Sequence, residues 1–271
     1  MEYLSGRTTT FGLILMLAAG LASSPRCQAA AGESPTPKKG TALRLTYRLE
    51  AETKLATAWG LVPVGNSRAT QEYEFLLGVI PRGDGRFDLE LRPVSGNYYE
   101  EENGGKVTYF LPREWKGRVV ARATWSAERG RLEGIRTEVP DDLPALRPRF
   151  IQQVLASLLP GVDRREESPP AEGSEEETWS LVYDYQPDPP ELDRGGGVFE
   201  QRGDVRVLMD EKEVGSGTTT VTGRLDPDTG LCRERREQVQ LDISIGSNTG
   251  SMTWSVSSHL APAEGAVTSR P

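Results

Sequence analysis

The reactive groups of this 271-residue chain are few, since it holds two cysteines and a single histidine, His259. A nucleophilic cysteine needs a neighbouring base, and His259 is the one histidine that could serve. The arginines that follow Cys232 would favour its thiolate. Pairing the last two strands about residues 248–249, however, sets Cys232 opposite position 265, away from His259. The sequence therefore predicts an inert strand cysteine.

His259 also lies beside Ser257 and Ser258, so it is a candidate base for a hydrolase. A pair of carboxylates among the 40 acidic residues is the other hydrolytic alternative. The motifs Gly-x-Ser-x-Gly, His-Glu-x-x-His and Cys-x-x-Cys, common signatures of hydrolases, zinc sites and redox sites, are absent from the sequence. No catalytic residue, metal ligand or cofactor is therefore assigned. A hydrolase that uses His259 or a carboxylate pair stays the alternative to a non-enzymatic binding protein.

Aromatic side chains are the remaining candidates for ligand contact. Four tryptophans and one tyrosine fall at the apolar positions of alternating segments: Trp59, Trp125, Trp179, Trp254 and Tyr183. On the dry face of a sheet such rings usually fill the core, because they bury a large apolar area. If the sheet is strongly curled and only one short helix covers it, the same rings line a ligand pocket instead. Both interpretations stay open at this point.

The first thirty-one residues have the pattern of a secretory signal peptide. Arg7 precedes the apolar stretch from Phe11 to Ala22, and small residues follow at 29–31. About twenty apolar residues are needed to span a bilayer, so this stretch is too short for an anchor. Cleavage near residue 31 removes Cys27 and leaves one thiol, and the chain has no Asn-x-Ser/Thr sequon. These features predict an exported protein, periplasmic or extracellular, of a bacterial envelope.

The charge of the chain argues against nucleic acid as a partner. Forty acidic residues outnumber 32 basic ones, and the formal net charge is −8. Such a surface repels phosphate backbones and anionic lipid surfaces. An apolar ligand held away from the surface, or another envelope protein, is compatible with this charge. We expect one of these two as the partner, and no transmembrane segment once the signal peptide is removed.

Apolar and polar residues alternate along most of the chain, which is the pattern of strands with one buried face. Odd positions from Leu43 to Leu55 are mainly apolar, and the even positions are charged or polar. Pairing 79 with 87, 77 with 89 and 75 with 91 places the apolar residues of the next hairpin on one face. A loop at 248–249 likewise sets 239 opposite 258. About eleven or twelve antiparallel strands with short links are expected.

One segment departs from this period. Leu146, Phe150, Val154 and Leu158 recur at helical spacing, and a Pro-Gly pair ends the run. We predict an amphipathic helix over 146–159 that packs on the concave face of a curled antiparallel sheet or open barrel. The acidic stretch 164–177 is predicted to be a disordered loop. The chain is thus divided into a signal peptide (1–31), a flexible linker (32–41), a single β-rich domain (42–260) and a disordered tail (261–271).

The strands fall into a group before the helix and a group after it, and Trp179 opens the second group. A duplication and a simple reuse of turn residues both explain the weak echoes between the groups. The combination of signal peptide, long alternating strands and one mid-chain helix resembles uncharacterised bacterial envelope proteins of the LolA/LppX type. The resemblance implies a curled sheet around an apolar cavity, and hence the binding of a lipid. It covers most of the chain after residue 31, although such carriers have more helix.

Overall fold

The computed structural model describes residues 40–57, 63–102, 104–127, 129–139, 146–161, 164–168, 179–186, 197–245 and 247–263. Within these residues the chain forms twelve strands, which belong to one sheet, and one α-helix. All of the strand pairs are antiparallel. The predicted class, a mainly β chain with one large antiparallel sheet and a single helix, is confirmed.

Six strands precede the helix and six follow it. The first six are β1 (Thr41–Thr57), β2 (Pro63–Gly83), β3 (Arg86–Glu102), β4 (Gly105–Phe110), β5 (Ala121–Ser126) and β6 (Arg131–Thr137). The helix, α1, covers Pro148–Ala156, and a turn of 3₁₀ helix at Arg113–Trp115 lies between β4 and β5. The last six are β7 (Arg164–Ser168), β8 (Trp179–Gln186), β9 (Val198–Met209), β10 (Lys212–Leu225), β11 (Cys232–Ile245) and β12 (Asn248–Pro262).

The first and last strands lie side by side in the middle of the sheet. The order is β6-β5-β3-β2-β1-β12-β11-β10-β9-β8-β7, and β4 pairs with β3 on the same side as β5. The first half of the chain therefore runs from the centre to one edge, and the second half returns from the opposite edge. The segment that contains α1 connects the two edges. Since β6 and β7 do not pair with each other in the described residues, the sheet is open and does not close into a barrel.

Trp125 of β5 shows how strongly the sheet is curled. Its indole Nε1 donates a hydrogen bond of 2.7 Å to the carbonyl oxygen of Thr229, in the turn before β11. β5 and β11 are five strand spacings apart in the sheet order, a span of about 24 Å along a flat sheet. The hydrogen bond therefore requires the sheet to bend around the inner face, on which the buried Trp125 lies.

The inner face carries the hydrophobic core, because alternate residues of the central strands, among them β1, β2 and β11, point inward and are buried there. α1 packs on this face through Phe150. Its ring contacts three rings of β1 and β2, at centroid distances of 5.5 Å to Tyr47, 4.7 Å to Tyr73 and 6.4 Å to Phe75. The predicted helix thus packs on the concave face, although it covers Pro148–Ala156 rather than the whole of 146–159.

The turn after α1 is held by side chains from two strands. Gln201 of β9 accepts a hydrogen bond from the Gly161 N–H at 2.8 Å and donates one to the Gly161 carbonyl oxygen at 3.1 Å. Ser258 of β12 donates to the Ser157 carbonyl oxygen at 3.0 Å. Carbonyl groups at a helix end lack partners within the helix. These side chains supply partners and so fix the end of the helix on the sheet.

Glycines on the inner side of β10 let the neighbouring strands approach closely. A Cβ atom added to Gly217 would fall on the carbonyl oxygen of Gln240 in β11. One added to Gly223 would stand 2.5 Å from the carbonyl oxygen of Glu234. Glycine inside a strand often marks such a bend. The absence of side chains at these positions therefore permits the curl of this half of the sheet.

Two predicted strand registers are wrong, each by an even number of residues. In the β2–β3 hairpin Val79 pairs with Leu89 rather than with residue 87, because the chain turns at Asp84-Gly85, where φ is 52° and 66°. In the β11–β12 hairpin Val239 pairs with Trp254 rather than with residue 258, because the two strands already pair at Ile245 and Asn248. An even shift keeps each side chain on its face. The faces are therefore as expected, although the cross-strand partners are not.

The sheet also extends beyond the predicted limits. Arg164–Ser168 forms β7 and pairs with β8, which differs from the disordered loop predicted from residue 164. Strand pairing uses backbone groups, so polar side chains do not prevent it at a sheet edge. β1 begins at Thr41 and β12 ends at Pro262, just outside the predicted domain 42–260. Residues 169–178, the signal peptide, most of the linker and most of the tail lie outside the described residues.

Candidate ligand-binding site

A group of polar side chains interrupts the apolar inner face where β1, β2 and β3 run side by side. Five residues form this group, which we term the polar wall: Thr53, Ser67, Gln71, Tyr98 and Glu100. The strand registers bring them together, because Thr53 pairs with Ser67 and Gln71 pairs with Tyr98. All five are buried, with 0 to 7% of their surface exposed.

Three members of the polar wall have no hydrogen-bond partner. The Thr53 Oγ1, Ser67 Oγ and Gln71 Oε1 atoms are buried, and no group in the described part of the chain bonds to them. Leaving a buried donor or acceptor without a partner costs about 1–3 kcal/mol. Such groups are rare in folded proteins and call for an explanation. The described part of the chain thus leaves these three buried oxygen atoms unsatisfied.

The other two members bond to each other. The Tyr98 hydroxyl donates a hydrogen bond of 2.8 Å to the Glu100 carboxylate. Burial raises the pKa of the Tyr98 phenol, and the neighbouring Glu100 carboxylate raises it further. The phenol is therefore neutral and acts as a donor. Burial, and next the charge of Glu100, also raise the pKa of Glu102 at the end of β3.

Small side chains separate the two ends of the polar wall. Ala51 and Ala69 form a cross-strand pair between the Thr53–Ser67 pair and Gln71. Further along the same strands, the inner face carries Tyr47 and Tyr73, which α1 covers. The wall is therefore the part of β1 and β2 where the side chains occupy least volume. We term the Ala51–Ala69 pair the alanine floor; hydrogen-bonding side chains of the polar wall lie at both of its ends.

The polar wall adjoins an apolar edge of the sheet. Val107 and Tyr109 of β4, which we term the β4 rim, pair with Glu100 and Tyr98 and share their face. Val107 is 46% exposed and Tyr109 39%. The Tyr109 ring stacks on that of Tyr98 at a centroid distance of 5.9 Å. Apolar surface thus runs from the open edge into the buried wall.

The sequence-predicted site residues are distributed over the inner face. Trp125 is fully buried beside the turn before β11, and Tyr183 is stacked on Tyr185 in β8. Trp254 is buried in β12 and pairs with Ala51, so it borders the polar wall. The backbone of Trp179 begins β8. Trp59 lies outside the described residues, and so does the side chain of Trp179. Of the five candidates, Trp254 lies next to the polar wall.

Sequence reasoning missed the polar members of this site. Thr53 and Gln71 occupy positions whose strand neighbours of the same parity are mainly apolar, and both point inward. A polar residue at an inward position is the signal that could have identified them, because burial of a polar group without a partner is unfavourable. The sequence does not reveal, however, whether a protein group bonds to them.

Cys232 and His259, the candidate nucleophile and base, lie on opposite faces of the sheet. Cys232 is buried on the inner side, and burial raises the pKa of its thiol to about 12. His259 is exposed on the outer side between Thr46 of β1 and Glu234 of β11, which are its cross-strand partners. The predicted pairing of Cys232 with position 265 is wrong, since the β11–β12 register sets Glu234 opposite His259. The separation of the two side chains stands, because they point to different faces.

Within the described residues no group of three or more His, Cys, Asp or Glu side chains is arranged to hold a metal ion. No helix in that part of the chain has the length and the apolar character to cross a membrane.

Comparison with known proteins identifies no family for this chain. No protein family and no curated protein matches it. Among solved structures, a chain described as "lipid-protein interactions in lipovitellin" superposes with a TM-score of 0.44 and 12% sequence identity. The match covers 86% of this chain and 26% of that one, so this chain spans about a quarter of the length of the protein it matches.

Proposed function

We propose that this protein is a non-enzymatic binding protein, which holds an amphiphilic ligand against the polar wall. The observation that carries the proposal is the set of buried atoms without partners on Thr53, Ser67 and Gln71. Each is destabilising when the chain alone surrounds it, and a bound molecule would satisfy it. Selection for stability alone would favour apolar side chains at these positions.

The β4 rim supports the same proposal from the outside of the site. Val107 and Tyr109 are half-exposed apolar side chains at a free sheet edge, and they lie on the face of the polar wall. Covering apolar surface stabilises a complex by about 25 cal/mol per Å². We infer that the apolar part of the ligand covers this rim and that its polar part contacts the wall.

The compartment belongs to the proposal as well. We infer from residues 1–31 that the chain is exported to a bacterial envelope, periplasmic or extracellular. N-terminal sequencing of the protein recovered from fractionated cells tests this inference. A mature chain that starts near residues 30–32 in the exported fraction supports it, and an intact Met1 in the cytoplasm contradicts it.

Native mass spectrometry of the protein purified from its own organism tests the binding proposal, together with lipid extraction. We expect a stoichiometric adduct that the extraction identifies as an amphiphile. Tyr109→Ser should weaken binding of that molecule roughly tenfold, because a ring contact with the ligand is lost.

Phe110→Ser is the matched control for Tyr109→Ser. Phe110 lies on the same strand and is 70% exposed. Because it follows Tyr109 directly, its side chain points to the opposite, outer face of the sheet. Its replacement should leave ligand binding unchanged. Equal effects of the two variants would contradict the assigned face, and a protein that is empty and binds no lipid from the extract would contradict the proposal and favour a protein partner.

A further inference from the structure

The hydrogen-bonding chemistry of the polar wall restricts the head group of the ligand. Gln71 Oε1 and the Glu100 carboxylate are acceptors, and the hydroxyls of Thr53 and Ser67 can donate or accept. We infer, on the basis of the proposed function, that the ligand carries an uncharged head with several hydroxyl groups. A head of this kind donates to Gln71 and Glu100 and exchanges hydrogen bonds with Thr53 and Ser67.

The charges near the wall disfavour a charged head. Glu100 is only 7% exposed, so water screens its charge poorly and it repels a carboxylate or phosphate. The charge of Arg147, which precedes α1, lowers the pKa of Tyr98 and so opposes the effects of burial and of Glu100. Because the buried Glu100 carboxylate lies in the wall itself, an uncharged polar group matches the wall better than an anionic one.

The arrangement of the site places the head innermost. Thr53 and Ser67 are 0% and 3% exposed on central strands, whereas the apolar β4 rim lies at the open edge, three strand spacings from β1 and two from β2. Three spacings correspond to about 14 Å. The polar head therefore contacts β1 and β2, and the apolar chain extends over the alanine floor toward Val107 and Tyr109.

A buried water molecule is the alternative explanation of the three atoms without partners. A substitution distinguishes a ligand site from a water site. Thr53→Val keeps the shape of the side chain and removes its hydroxyl. If the hydroxyl has no partner in the empty protein, its removal raises the melting temperature. If a buried water bonds to it, removal loses a hydrogen bond and lowers the melting temperature.

The test compares delipidated wild type with Thr53→Val and Ser67→Ala, using 1-monooleoylglycerol and oleate as probes with the same chain. Wild type should bind monooleoylglycerol at least tenfold more tightly than oleate. Each variant should weaken monooleoylglycerol binding by about five- to tenfold, the effect of one lost hydrogen bond. Each should also raise the Tm of the delipidated protein by about 2–4 °C.

Thr253→Val provides the control, because Thr253 is an exposed threonine on the outer face of β12. This variant should keep the lipid preference of wild type, and it should not show the rise in Tm that is expected of Thr53→Val and Ser67→Ala. Gln71→Met serves as an independent variant if Thr53→Val fails to fold, since it removes the acceptor and keeps the side-chain length.

The outcomes separate this inference from the proposed function. If wild type binds both lipids equally, or prefers oleate, the uncharged head is refuted while lipid binding stands. A fall in Tm for Thr53→Val with an unchanged preference identifies buried water and also refutes the inference. If wild type binds neither probe nor any lipid of its own extract, the proposed function fails and this inference fails with it.

Discussion

Burial controls the protonation of the groups on the inner face that could otherwise react. The thiol of Cys232 is 1% exposed, and burial raises its pKa to about 12, although Arg235 acts in the opposite direction. A thiol in this state is neutral near neutral pH and a poor nucleophile. Burial raises the pKa of Tyr73 as well. Burial therefore keeps both the Cys232 thiol and the Tyr73 phenol protonated near neutral pH.

The raised pKa of Cys232 predicts a loss of stability at alkaline pH. Below the ordinary value of 9.0 the thiol is protonated in both the folded and the unfolded chain, so its contribution is complete. Between pH 9 and about 12 only the unfolded chain releases the proton, which favours unfolding. Urea unfolding at pH 8 and pH 10 should therefore show a smaller free energy of unfolding at pH 10.

Cys232→Ala is the control for this pH effect. The variant should be less stable at both pH values, because it leaves a small cavity. Its free energy of unfolding should fall less between pH 8 and pH 10 than that of wild type. An equal fall in the two proteins would show that another group causes the alkaline loss.

At the scale of elements, α1 and its flanking residues connect the two edges of the sheet across the concave face. Leu158, just after α1, is fully buried. Leu158→Asp should lower the free energy of unfolding by about 3 kcal/mol or more, because it buries a charge without a partner. Chemical denaturation measures the loss.

Gln152→Asp is the comparison for Leu158→Asp. Gln152 lies in α1 and is half-buried, so a carboxylate there can remain in contact with water. Its replacement should cost less than about 1 kcal/mol. Wild-type stability of Leu158→Asp would contradict the packing of this segment on the sheet.

The elements could be predicted from the sequence to different degrees. Alternation identified the inward face of β1, because a strand with one buried face must repeat every two residues. The register of β2 with β3 could not be predicted in the same way, since pairing Val79 with residue 87 or with Leu89 buries the same face. The positive φ angles at Asp84-Gly85 decide between them. β7 was missed because backbone pairing at an edge leaves no apolar pattern.

The candidate site was harder to predict than the fold. Trp254 was found because bulky aromatics at inward positions are conspicuous in an alternating sequence. Thr53, Ser67 and Gln71 were not found, because their role as binding residues depends on which atoms surround them in the folded chain. Alternation places a polar side chain on the inner face, but only the structure shows whether it has a hydrogen-bond partner.

At the scale of the whole molecule, the curl of the sheet creates an inner face, and a flat sheet of this order could not. Trp125 bonds to Thr229 across five strand spacings, and glycines on β10 permit the bend. The polar wall lies on strands near the middle of this curl. Its burial, and hence the energetic cost of its atoms without partners, depends on the shape of the sheet as a whole.

Gly217 tests this dependence. Gly217→Ala places a Cβ atom on the backbone carbonyl oxygen of Gln240, which cannot move without displacing β11. We expect a loss of about 1–3 kcal/mol in the free energy of unfolding, because the neighbouring strands are forced apart. Gly197→Ala is the matched control, since a Cβ atom there meets nothing within 4 Å. Equal stability of the two variants would show that the close approach at β10 is not needed for the curl.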